Sequence, residues 1–272
     1  MSIQFAPDGT AYSTHGAGEP LVLIHGVGMQ AGIWKPQIDS LAAEWQVIVY
    51  DVLGHGQSPL PPGEPTLGDY SDQLLRLLDH LGIDAANVAG HSMGALIALD
   101  FALHHDTRCL RVAALNAVYR RTAEQREAVL ARANGLATGT SDSTIQQTIA
   151  RWLGAPLPEH LVEVGKQLRR YLSSTDLLGY SRTYRLFATS DQAHAGKLGA
   201  LKMPALFLTA QHDQNSSPEM SRKMASEVES GVAVIISDAR HMVTVTHPAE
   251  VNRALESWLQ LPLGARQKRL VG

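Results

Sequence analysis

At 272 residues, with 44% hydrophobic and 18% charged side chains, the chain is long enough for one large α/β domain carrying an insertion and too apolar for disorder to be its main state. Its formal net charge of −3 leaves no electrostatic footprint for nucleic acid or an anionic membrane, so the expected partner is a small-molecule substrate, with no nucleic acid and no membrane; a homo-oligomer stays open. Cys109 is the single cysteine, which excludes an intrachain disulfide, and residues 1–9 lack the basic-then-apolar pattern of a secretory leader. No apolar run approaches the roughly 20 residues of a membrane span, and the expectation is a cytoplasmic protein.

In chain order, Leu21-Val22-Leu23-Ile24 is apolar on both faces and reads as a buried parallel strand that feeds the loop His25-Gly26-Val27-Gly28. Trp34, Ile38 and Leu41 fall at helical spacing, and Val47-Ile48-Val49-Tyr50 is a second buried strand closed by Asp51 and the loop Gly54-His55-Gly56-Gln57-Ser58. Residues 59–65, rich in proline and glycine, form a surface connection. Thr66-Leu67-Gly68-Asp69 has the form of a capping box for a helix whose face carries Tyr70, Leu74, Leu77, Leu78 and Leu81 and which stops at Gly82. A third strand, Asn87-Val88-Ala89-Gly90, leads straight into Gly90-His91-Ser92-Met93-Gly94, and a helix follows with Leu96, Leu99 and Leu103 toward the sheet. Arg111-Val112-Ala113-Ala114-Leu115 is the next strand, ending at Asn116.

The pattern changes over 118–189. Four helices are expected there, at 123–133, 143–153, 158–172 and 176–187, in an insertion too long for a simple crossover and read as a lid. Strand character returns at Ala205-Leu206-Phe207-Leu208-Thr209, whose end carries Gln211-His212-Asp213. A helix over 218–228 precedes the last strand, Val232-Ala233-Val234-Ile235-Ile236, which ends in Asp238-Ala239-Arg240-His241. Pro248 suits the first turn of a closing helix with Val251, Leu255, Trp258 and Leu259 on its apolar face. The expected division is a core in two parts, 1–117 and 190–263, the lid at 118–189, and a basic, frayed tail at 264–272.

Gly-x-Ser-x-Gly between a strand and a helix is the setting of a nucleophile elbow, in which small flanking residues let strand and helix approach closely around a strained serine. Nucleophilic catalysis then needs a base and an acid that orients it. Ser92, Asp213 and His241 follow that chain order, each at the C-terminal end of an expected strand, and in an open parallel sheet such ends converge on one face. The backbone N–H groups of Val27 and Met93 are the expected oxyanion donors. Of the 12 histidines, His25 and His91 read as loop-shaping, His55 lies in a turn, and His104, His105 and His160 fall in helical segments. Asp238 is the rival to Asp213, and Cys109 reads as a structural thiol rather than a nucleophile. Arg120, Arg121, Arg182 and Arg185 could meet a substrate carboxylate, although helix arginines are more often solvated.

Taken together, the motifs at 25–28, 51–58, 90–94 and 211–213, with His241-Met242 and His247-Pro248, make the chain resemble the α/β-hydrolase fold over nearly its whole length, and most of all its lidded bacterial enol-lactonases, carboxylesterases and carbon–carbon bond hydrolases. The resemblance implies a mostly parallel central sheet flanked by helices with an inserted α-helical lid, and a serine enzyme without cofactor or metal. Serine at position 92 departs from the aspartate of haloalkane dehalogenases and epoxide hydrolases and argues against both. Leu53 stands where many relatives have an arginine, so their salt link to the preceding aspartate is not expected. The function expected is hydrolysis of a small carboxylic ester or lactone through an acyl-enzyme. Carbon–carbon hydrolysis of a vinylogous diketone, cofactor-free perhydrolysis and a non-catalytic ligand receptor are the alternatives.

Overall fold

The computed structural model describes residues 2–136 and 141–263; the tail expected at 264–272 lies outside the described residues. Two strands that the sequence reading passed over open the chain, β1 (Gln4–Phe5) and β2 (Ala11–His15). The first is too short to show a period, and Ser13, Thr14 and His15 give the second a polar cast. The remaining strands are those expected: β3 (Pro20–Ile24), β4 (Gln46–Tyr50), β5 (Ala86–His91), β6 (Cys109–Leu115), β7 (Ala205–Ala210) and β8 (Gly231–Ile236). They form one sheet in the order β1-β2-β4-β3-β5-β6-β7-β8, antiparallel where β2 meets β1 and β4 and parallel from β4 to β8. The parallel strands are continuous apolar runs because helices cover both faces, and Leu21, Val22, Leu23 and Ile24 are wholly buried. Edge strand β8 is only partly covered, with Val232 exposed.

Register puts the functional ends of the strands level with one another: Ile24 pairs with Gly90 and Tyr50, and His91 with Leu115. Loops leaving β3, β5 and β6 therefore emerge side by side.

Helices α1 (Lys35–Leu41), α2 (Leu67–His80) and α3 (Met93–His104) belong to the first half of the core. The capping box of α2 forms as expected: Thr66 Oγ1 accepts from Asp69 N–H at 3.3 Å while Asp69 Oδ2 accepts from Thr66 N–H at 2.7 Å, an arrangement contributing about 1 kcal/mol. Every residue of α3 from Met93 to Ala102 is buried, since this helix is wedged between α2 and strands β3, β5 and β6. It carries no polar face, unlike a surface helix.

Between β6 and β7 lie four helices, α4 (Ala123–Leu136), α5 (Asp142–Leu153), α6 (Val162–Ser174) and α7 (Leu177–Thr189), with α4 packed on α7 and α5 on α6. Asp191 holds the two ends of this insertion together. Its carboxylate accepts from the Arg121 backbone at 2.9 Å and from Arg126 Nη2 at 2.9 Å, and its carbonyl accepts from Arg120 N–H at 2.8 Å. The core closes with α8 (Pro218–Ser226), the short α9 (Val243–Thr246) and α10 (Pro248–Leu259), which starts on a proline as expected and packs on α1. Among the described residues no helix is long and apolar enough to cross a membrane.

Candidate active site

Ser92 sits between β5 and α3 at φ 57° and ψ −113°, a conformation that costs a non-glycine residue on the order of 1–3 kcal/mol. Close packing holds it there. A Cβ on Gly90 would overlap the carbonyl of Gly94, and one on Gly94 would overlap the carbonyl of Ile24, so strand and helix meet at a distance only glycine allows. Ser92 N–H also donates to Leu115 O at 2.8 Å, tying the turn to β6.

The structure brings Ser92, His241 and Asp213 into one hydrogen-bonded line. His241 Nε2 lies 3.2 Å from Ser92 Oγ, and His241 Nδ1 donates to Asp213 Oδ2 at 2.8 Å. Asp213 Oδ2 accepts further from Asn116 Nδ2 at 2.7 Å and Ser216 Oγ at 2.6 Å, and Oδ1 from the N–H groups of Asn215 at 2.8 Å and Ser216 at 3.3 Å. Burial alone would raise this carboxyl, but His241 together with Ser216 and Asn116 outweighs it and holds the group down at about 2. Asp238, the alternative, is 92% exposed in its side chain and points to His212 at 3.9 Å. Met93 follows Ser92 directly, and Gly26, the residue before Val27, comes close to it: a Cβ there would stand 3.2 Å from Ser92 Cβ. Among the described residues, neither the Val27 nor the Met93 N–H takes part in the turn and loop hydrogen bonds.

Three further histidines brace this centre. His25 Nδ1 donates to Gly26 O at 2.8 Å while its Nε2 accepts from Val52 N–H at 3.0 Å; His55 Nδ1 donates to Leu53 O at 3.1 Å and its Nε2 accepts from Gly28 N–H at 2.9 Å. The loop after β3 is thus stitched to the loop after β4 by two neutral imidazoles. His91 Nε2 donates to the carbonyl of His241 at 2.8 Å, anchoring the backbone of the histidine whose ring meets Ser92. Asp51 takes the backbone N–H groups of Ala31 at 2.8 Å and Gln57 at 2.9 Å, and among the described residues it makes no salt link.

These imidazoles make the fold sensitive to acid. Burial pulls His25 down to about 4; it also pulls His55 and His91 down to about 3, helped by neighbouring His25 and His241 respectively, against 6.5 in an exposed chain. Between those values the unfolded chain binds more protons than the native one, so the stability is fully present above about pH 6.5 and lost as the pH falls. Once all three are protonated in the unfolded chain and still neutral in the native one, the loss approaches about 4 kcal/mol per pH unit, against a total stability of about 5–15 kcal/mol. Melting curves by circular dichroism should show Tm falling steeply from pH 6.5 to pH 4. A flat Tm over that interval would contradict the burial of neutral imidazoles.

The helical insertion covers the centre. A Cβ on Gly28 would meet Leu172 Cδ2 of α6 at 2.8 Å and Tyr180 Cε2 of α7 at 3.2 Å, and the Trp152 ring of α5 lies 5.9 Å from the His241 ring. Ser92 and His241 are each only 4% exposed. A cavity of about 780 Å³ touches Asp213 and is lined also by His212, Gln214, Arg222 and Arg240, but its lining includes neither Ser92 nor His241. Trp152 and Tyr180 escaped the sequence reading because an aromatic at helical spacing looks like ordinary core.

The four arginines singled out from sequence are engaged elsewhere or exposed. Arg121 is buried rather than solvated, 3.7 Å from Asp191 and stacked over Phe187. Burial lowers it to about 10 although Asp191 opposes the shift. Arg120 lies 3.9 Å from Glu227 and over Tyr119, Arg182 donates to Pro61 O at 2.9 Å, and Arg185 is exposed. Cys109 is buried, which pushes its thiol up and away from the nucleophilic form. Among the described residues no group of three or more His, Cys, Asp or Glu is placed to hold a metal ion.

Comparison with known proteins agrees with this architecture. The family model described as alpha/beta hydrolase fold matches residues 19–248. The chain is 39% identical to the (E)-2-((N-methylformamido)methylene)succinate hydrolase of Acinetobacter baylyi over 260 residues, covering 95% of this chain and 97% of that protein. It is 26% identical to 3-oxoadipate enol-lactonase 1 of the same organism, over 84% of each. Among solved structures, the enol-lactonase from Burkholderia xenovorans LB400 superposes with a TM-score of 0.85 at 26% identity, covering 96% of this chain and 100% of that one. A buried Ser–His–Asp line at the ends of a mostly parallel sheet, a family match over most of the length and hydrolases as its relatives lead to one conclusion: the chain belongs to the alpha/beta hydrolase fold family and is an enzyme of hydrolase type.

Proposed function

We propose that the protein is a serine hydrolase that cleaves a small carboxylic ester or lactone through an acyl-enzyme. The observation that carries this reading is the unbroken line from Ser92 Oγ through His241 to Asp213, buried beside two unspent backbone amides. Ser92 Oγ attacks the acyl carbon as His241 Nε2 takes its proton. The charge that develops on the carbonyl oxygen is met by the N–H groups of Val27 and Met93, and collapse of the intermediate expels the alkoxide, which leaves with the proton from His241. Water then attacks the acyl-enzyme with His241 as base, releasing a carboxylic acid and restoring Ser92. The insertion over 118–189 serves as the lid that admits substrate and excludes bulk water.

A second reading keeps the same steps and changes the leaving group. The relative at 39% identity is named for a formamide joined to a methylenesuccinate, which favours an activated amide on a succinate frame as substrate. Turnover of p-nitrophenyl acetate, a lactone series, (E)-2-((N-methylformamido)methylene)succinate and a vinylogous diketone tests both. Pre-steady-state release of product from activated esters, in a burst equal to the enzyme concentration if deacylation is slow, is expected. A folded enzyme that ignores every ester, lactone and enamide yet cleaves the vinylogous diketone would move the assignment to carbon–carbon hydrolysis.

A further inference from the structure

Two part-buried arginines of the insertion stand apart from its ion pairs among the described residues. Arg132 of α4 and Arg151 of α5 lie within electrostatic reach of each other and of Tyr184. Arg132 Nε donates to Tyr184 Oη at 3.1 Å, and Arg151 makes one long contact, Nη2 to Thr148 Oγ1 at 3.5 Å. The Arg151 Nε is buried without a hydrogen-bond partner. Among the described residues no carboxylate stands within 4.0 Å of either guanidinium, whereas nearby Arg121 and Arg126 share Asp191. Burial accordingly pulls Arg151 below the usual arginine range, and the charge of Arg132 adds to that pull.

Their position ties them to the reacting centre. Arg151 is the sequence neighbour of Trp152, whose ring flanks His241. The rings that contact or approach the arginines, Tyr184 and Tyr180, stand 5.9 Å apart edge to face, and Tyr180 rests on Gly28 beside Val27. A guanidinium largely withdrawn from water, with an unsatisfied N–H and a second cation in electrostatic reach, destabilises a fold unless an anion completes it. A carboxylate does so best, because its two oxygens match the planar fork of a guanidinium.

We propose that Arg132 and Arg151 form a carboxylate-binding subsite within the helical insertion, so that the preferred substrate is an acyl compound carrying a carboxylate away from the bond that is cleaved. The subsite deepens the serine-hydrolase reading and rests on it for its place in turnover, but its binding can be measured without chemistry. In the full-length Ser92→Ala protein, calorimetric titration with succinate should show saturable binding, weakened about 10- to 100-fold by adding Arg151→Met or Arg132→Met, the loss expected for a charge-assisted hydrogen bond. Succinamide, without charge, should not bind. Arg151→Lys, which keeps the charge and stem but not the fork, should fall between. In protein with Ser92 intact, the ratio of kcat/KM for mono-p-nitrophenyl succinate to that for p-nitrophenyl acetate should drop by a similar factor in either Met variant. Succinate binding that is absent, or unchanged in all three arginine variants, overturns the subsite whatever the enzyme hydrolyses. Arginine-dependent binding in a protein that forms no acyl-enzyme leaves the subsite standing and overturns the mechanism instead.

Discussion

Ser92→Ala and His241→Ala should each lower turnover by about four to six powers of ten, and the double variant should be hardly worse than either alone, because nucleophile and base act as a unit. The fold should survive both changes. Ser92 Oγ has His241 as its hydrogen-bond partner, and the strained backbone at this position is imposed by Gly90, Gly94 and the bond from Ser92 N–H to Leu115 O rather than by the hydroxyl. Removing the imidazole of His241 leaves Asp213 with four other donors from Asn116, Asn215 and Ser216. Steady-state rates on an activated ester, with Tm as the check on folding, measure the effect; Ser92→Ala hydrolysing at near the normal rate would contradict it.

Asp213→Asn should cost about 10⁴ in turnover, the loss that follows when an acid can no longer fix the tautomer of its histidine. The carboxylate faces donors on both oxygens: Asn116, Ser216 and His241 at Oδ2, and two backbone N–H groups at Oδ1. An asparagine must turn its NH₂ toward one set or the other, so donors confront a donor whichever way it is placed. With NH₂ toward Oδ2's partners, His241 Nδ1 loses its acceptor and the ring is free to carry its proton on Nε2, where it cannot take one from Ser92. Asp238→Asn should leave most activity in place, since that side chain is solvent-exposed and its φ of 55° suits asparagine. The reverse outcome, with Asp238→Asn the crippled variant, would transfer the role.

Much of this centre was legible in the sequence because its parts are written locally. The Gly90–Gly94 pattern encodes a close approach that no other residue permits, and the apolar runs at 21–24 and 205–209 announce strands whose ends must converge. Elements that depend on distant partners were not legible. Strand β2 exists by pairing with β4, and its polar residues conceal it. Arg121 read as a solvated helix charge because Asp191, its partner, is 70 residues away. Arg132 and Arg151 carry no local mark either: nothing in the sequence distinguishes an exposed helix charge from a half-buried one. His25 and His55 were placed in their loops, but the exchange of hydrogen bonds between those loops emerges only when β3 and β4 lie side by side.

If Ser92 is an activated nucleophile, a fluorophosphonate probe followed by intact-mass and peptide analysis will find it. One adduct per chain is expected, located on Ser92, absent in Ser92→Ala and strongly slowed in His241→Ala. A folded protein that takes up no probe, or takes it up on another residue with Ser92 unmodified, would contradict it.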